Sequence, residues 1–159
     1  MTRALMIAAA SAAALVLSPA AFAQQGGGTA DEAKAMLARA VTAVKTDKAK
    51  ALDIFNKGEG GFLDRDLYPF CANVSDGKFV AVYNPNARQL IGQVDMRTLR
   101  DSTGKAFGQE QFAAAQKPEG ELTEVSYLFA RPGADPTPVP KVSFTTKIGD
   151  LVCGVGYYK

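Results

Sequence analysis

The chain has 159 residues, 47 % of them hydrophobic and 21 % charged, enough apolar material for one globular core and not the composition of a disordered polymer. Its net charge of +2 is scattered without a basic block or stripe, which argues against a nucleic-acid partner. There is no histidine and there are two cysteines, so Ser-His-Asp nucleophiles and histidine-based metal sites are ruled out and no cofactor or metal is expected.

Residues 1–23 carry Arg3, an apolar run over 5–17 and then Ala21-Phe22-Ala23, the three parts of a secretory signal with cleavage before Gln24. The apolar run is shorter than the roughly 20 residues of a membrane-spanning helix. No later segment is long and apolar enough to span. The expected product is a periplasmic or secreted chain with no membrane span. In that compartment an even number of cysteines favours a Cys71–Cys153 disulfide, the alternative being two buried thiols.

Residues 24–30, rich in glycine, read as a flexible lead-in to a domain over 31–159. Thr29 and Glu32 have capping-box spacing, and Met36, Leu37, Val41 and Val44 share one helical face. Asp47 can cap a second helical piece carrying Ala51, Leu52 and Phe55, which Gly58 ends. The period then changes. Residues 68–74 and 78–83 flank Ser75-Asp76-Gly77 and predict a hairpin. Residues 84–105 are polar with a short helical turn near 95–100, and 106–116 read as a helix. A strand over 121–130, a proline-rich turn, and a second hairpin over 141–148 and 151–158 around Gly149-Asp150 complete an α+β domain.

Two-residue turns would set the registers. An Asp76-Gly77 turn places Cys71 opposite Val82, Ala72 opposite Ala81 and Phe70 opposite Tyr83. A Gly149-Asp150 turn places Lys141 opposite Tyr158, Ser143 opposite Gly156 and Thr145 opposite Gly154. If the cysteines bridge, the first and last strands are neighbours. One face then carries Leu67, Cys71, Val80, Val82, Val142, Phe144, Ile148, Leu151, Cys153 and Val155, matching the stripe of the first helix. The other carries Tyr68, Phe70, Phe79, Tyr83, Lys141, Ser143, Thr145, Gly154, Gly156 and Tyr158. Gly154 and Gly156 suggest either a hollow beneath a covering loop or a helix packed on bare backbone. Lys141 on this face either meets a ligand carboxylate or snorkels to water from a strand end.

The segments "FNKGEGGFLDRDLYPFCANVSDGKFVAVYNP", "LIGQVDMRTLRDSTGKAFGQEQF", "SYLFARPGADPTPVPKVSF" and "GVGYYK" resemble the bacterial single Cache domains of the second group, from about Ala33 to Lys159. The resemblance implies a PAS-like antiparallel five-stranded sheet in the order 2-1-5-4-3. A long N-terminal helix lies behind it, and a helical insertion follows strand 2. It also implies a sensor of small molecules, short organic acids among them, held between sheet and insertion. By position it makes Lys141 and Tyr127 pocket-facing and puts Phe129 where an aromatic, often Trp, is usual. Arg97 and Asp101 are carried over from the insertion, and Tyr68, Tyr83 and Ser143 join as walls from the reading of the faces. Most Cache domains are fused to a transmembrane output, whereas here the sequence stops at Lys159. The alternative function is therefore an accessory subunit docking on a membrane receptor or sensor kinase without a small ligand. A third reading is a structural domain whose second face is filled by its own helix.

Enzymatic motifs do not hold up. "DSTGK" (101–105) lacks P-loop spacing and reads as a turn, "KGEGG" follows no strand, and the acid pairs Asp64/Asp66 and Glu121/Glu124 flank strand ends. The chain is not expected to be an enzyme.

Overall fold

A computed structural model describes residues 26–159 apart from Asn86 and Ala134; the expected leader, its cleavage point and the first two residues of the lead-in lie outside the described residues. Helix α1 (Ala30–Thr46) begins on the expected capping box, with the Thr29 hydroxyl accepting from the Glu32 amide and the Glu32 carboxylate accepting from the Thr29 amide. Asp47 breaks the helix and caps α2 (Lys48–Lys57), which ends at Gly58 in the left-handed conformation that glycine adopts without a steric cost. The buried residues of both helices, among them Met36, Leu37, Val44 and Phe55, face one side of a single sheet.

That sheet has five antiparallel strands in the order β2-β1-β5-β4-β3: β1 Pro69–Asn73, β2 Phe79–Val82, β3 Thr123–Ala130, β4 Pro138–Ile148 and β5 Leu151–Tyr158. Cys71 and Cys153 oppose each other on β1 and β5 and are joined in a disulfide, their Cα atoms 4.1 Å apart. The second hairpin has the predicted register, Lys141 opposite Tyr158 and Ser143 opposite Gly156. Strand β4 begins three residues earlier than expected. Its Pro138 and Pro140 pair with Ala130 and Leu128 of β3 beyond the end of β5 at Tyr158, where Lys159 still donates its amide to the Pro140 carbonyl.

The first hairpin departs from expectation. Cys71 is opposite Ala81, Phe70 opposite Val82, and Ala72 opposite Phe79. The chain turns over four residues, not two: the Gly77 amide donates to the Asn73 carbonyl and the Asn73 amide to that of Lys78. A bulge then absorbs Val80. As a result Val82 sits on the face away from α1 and α2, and Ala81 takes its place in the helix-side core.

The lead-in docks at its end. The Gly28 amide donates to Asp66 Oδ1 at 2.6 Å, and the Asp66 carboxylate also holds Arg131. Helix α3 (Phe107–Phe112), continued by a 3₁₀ turn over Ala113–Gln116, lies across the other face of the sheet together with the loops after β2. No helix among the described residues is long and apolar enough to cross a membrane.

Candidate functional site

Between the sheet and α3 lies a cavity of about 40 Å³. Its walls come from β1 (Tyr68 just before it, Phe70), β2 (Phe79, Val82), the insertion (Ala87, Leu90, Leu99), α3 (Phe107, Gln111), β3 (Tyr127, Phe129) and β4 (Lys141). The lining is almost wholly apolar, which makes its one cation conspicuous.

Lys141 is 2 % exposed, so it does not reach water from the strand end. Its Nζ donates to the hydroxyls of Tyr68 and Tyr158, each at 3.2 Å. It also lies 4.5 Å from the ring centre of Tyr158, 4.8 Å from that of Tyr68 and 5.3 Å from that of Phe129. Ring faces attract a cation, yet among the described residues Lys141 has no ion pair. Asp66, the nearest carboxylate in electrostatic effect, is occupied by Arg131 and the Gly28 amide. Burial therefore pushes the Lys141 ammonium below its ordinary lysine range, with Tyr127 and Asp66 opposing the shift and Arg131 adding to it.

The tyrosines are held in turn. Tyr158 donates to the Ala130 carbonyl at 2.7 Å, and Arg131 covers its ring at 4.6 Å. Tyr68 accepts from Asn84, and burial pushes its phenol up to about 12. Tyr127 stacks on Phe107, with ring centres 4.2 Å apart, and its hydroxyl shares a 2.8 Å hydrogen bond with Ser143. Burial raises Tyr127 and Tyr158 as well, so all three phenols stay neutral at physiological pH and can screen the lysine only as dipoles.

The two glycines of β5 serve neither of the anticipated purposes. A Cβ on Gly154 would stand 2.5 Å from Phe70 Cζ, and one on Gly156 would stand 2.5 Å from both Lys141 Cε and Ser143 Oγ. The bare backbone makes room for Phe70 at Gly154 and for Lys141 at Gly156, so Gly156 is the glycine that positions the lysine.

Of the residues expected at the site, Tyr68, Tyr127, Phe129 and Lys141 meet at the cavity. Ser143 stands behind Tyr127. Tyr83 packs behind Tyr68 with ring centres 6.4 Å apart and is outside the lining. Arg97 is not brought in: its guanidinium grips Asp95 and the Asp76 carbonyl, clamping the β1–β2 turn. Asp101 caps its own turn through the Thr103 and Lys105 amides and accepts from the Leu128 amide on the outer edge of β3; it lines a neighbouring surface pocket that shares Tyr127 and Lys141 with the cavity. Sequence reading missed Tyr158 and Gln111 as site residues. Tyr158 was already opposite Lys141 in the predicted register. Gln111 falls one helical turn after Phe107, a polar residue on an otherwise apolar face.

No family model matches the sequence, and no curated protein matches it significantly. Solved structures do. The chain is similar to a periplasmic sensor domain of a chemotaxis protein, with 24 % identity and a TM-score of 0.59 over 80 % of this chain and 88 % of that one. It is also similar to a Cache chemosensory domain whose recognition of carboxylic acid has been described, with 20 % identity and a TM-score of 0.58 over 80 % and 86 %. Together with the 2-1-5-4-3 sheet, the likeness shows that this chain has the fold of a single Cache domain.

Proposed function

We propose that the protein is an exported sensory domain that binds a small organic acid in the cavity at Lys141. The observation that carries this reading is a buried ammonium with ring faces and neutral hydroxyls around it and, among the described residues, no carboxylate paired with it. Burying a charge without an opposite charge is costly, and an anionic ligand removes that cost. The volume sets the scale: about 40 Å³ exceeds the roughly 10–15 Å³ a single water requires and falls well short of the roughly 150 Å³ that admits benzene. Acids of two or three carbons, with the tail against Val82, Leu90 and Leu99, suit it. The acid-recognising Cache domain of the same fold supports the ligand class, and the disulfide suits an oxidising compartment.

Thermal-shift measurement with acetate and propionate tests the reading. A ligand at a hundred times its Kd adds about 2.7 kcal/mol and raises the melting temperature by several degrees. Lys141→Met should abolish the shift while remaining folded, because its apolar chain suits the aromatic cage. No shift with either acid, or an equal shift in the variant, refutes the assignment.

A further inference from the structure

Gln111 presents a buried polar group that the fold does not use. It is 2 % exposed, it lines the cavity, and its Nε2 has no hydrogen-bond partner among the described residues. The residue itself is firmly placed. Its carbonyl accepts from the Thr145 hydroxyl at 3.1 Å, and Phe107 one turn earlier is stacked on Tyr127. The side-chain amide lies near enough to the Tyr127 hydroxyl to ease its ionisation, yet it falls short of hydrogen-bond geometry to it. A donor enclosed in this way lowers stability unless something accepts from it. Leucine or methionine would match the surrounding Leu99, Phe107 and Phe79 without that penalty.

Gln111 and Lys141 line one small, largely apolar chamber from different elements, α3 and β4, and beside the Tyr68 and Tyr127 hydroxyls they bring to it an amide and an ammonium. A carboxylate has two oxygens, and one cation satisfies only part of their capacity. We propose that Gln111 is the specificity-determining residue of the site, its Nε2 donating to the second oxygen of a carboxylate whose first oxygen is held by Lys141. This rests on the reading of the cavity as a small-acid site and adds to it a fixed orientation. The carboxylate spans from β4 to α3, and the tail points to the apolar wall. A ligand with a single polar atom, such as a short alcohol, engages one donor and leaves the other unmet.

The test uses the full domain, acetate and propionate as probes, and the variants Gln111→Met and Gln111→Glu beside Lys141→Met. Gln111→Met should weaken acetate at least tenfold by calorimetry and at the same time raise the melting temperature of the ligand-free protein. Gln111→Glu should abolish acetate binding, since its carboxylate repels the ligand and provides Lys141 with an internal counter-ion. Opposite signs for affinity and stability are what a purely structural glutamine would not produce. Acetate affinity within twofold of wild type in Gln111→Met overturns the proposal, as does a lowered ligand-free melting temperature. If wild type binds acetate and Lys141→Met does not while Gln111→Met does, the glutamine assignment alone fails. If wild type binds neither acid, the acid-site reading fails and the glutamine proposal falls with it.

Discussion

Opening the Cys71–Cys153 bridge removes a cross-link that spans 82 positions of sequence between adjacent central strands. In the chain-entropy account, a loop of that length is worth about 4.5 kcal/mol at 25 °C, because the unfolded chain regains the freedom the bond denied it. A domain of this kind has roughly 5–15 kcal/mol in total. Each kcal/mol moves the midpoint by about 3–4 °C at this size, so the reduced protein should melt about 15 °C lower. Both sulfur-bearing residues are completely buried between β1, β5 and the helices, so a reductant must wait for an opening. The Cys71→Ala/Cys153→Ala double variant removes that delay. Circular-dichroism melts of the oxidised, reduced and double-variant forms, with urea titrations alongside, make the measurement. The reduced chain should also show a larger urea slope, since its denatured state exposes more surface. A midpoint lowered by less than about 4 °C would refute the claim that the bridge acts chiefly on the unfolded chain.

Two pH effects follow from the same structure. In the ligand-free protein the ammonium of Lys141 is held below its ordinary value of 10.5, so between its native value and 10.5 the unfolded chain binds more protons. This group's penalty is full below its native value and fades as pH rises toward 10.5, giving an alkaline rise in stability that Lys141→Met should flatten. A bound carboxylate restores the proton, so acetate affinity should fall with rising pH above that native value. Identical calorimetric heats in buffers of different ionisation enthalpy would rule out the proton uptake. On the acid side, the Arg65 guanidinium and the Thr29 amide hold Glu32 down at about 2 from 4.5. Its contribution is complete above 4.5 and lost as pH falls through 2. Urea midpoints from pH 6 to pH 2 should therefore drop less in Glu32→Gln, and parallel curves would remove Glu32 from the account.

Elements governed by local chemistry were legible in the sequence. The caps at Thr29, Asp47 and Gly58 are each made by neighbours within a few positions. The tight turn at Gly149-Asp150 left β4 and β5 a single register. The first hairpin was misread because its Asp-Gly pair belongs to a wider turn, and the bulge at Val80 leaves no trace in an alternating apolar run. At the site, strand residues followed from register, which brought Lys141 and Tyr158 together. The insertion has no period to follow, so Arg97 and Asp101 were placed by resemblance; the structure engages both in turns, with Asp101 still in the same pocket lining as Tyr127 and Lys141. The flat course of Phe70 and Lys141 over the glycines of the adjacent strand was equally hidden, because register fixes the face a side chain is on and not the direction in which it leans.

The docking of Gly28 on Asp66 has a mechanical consequence. The carboxylate that fastens the start of the domain also holds the guanidinium lying on the Tyr158 ring, and that phenol touches the lysine ammonium. A tug on the Gly28 backbone would thus pass through three side chains in series, Asp66, Arg131 and Tyr158, before reaching Lys141 in the wall of the chamber.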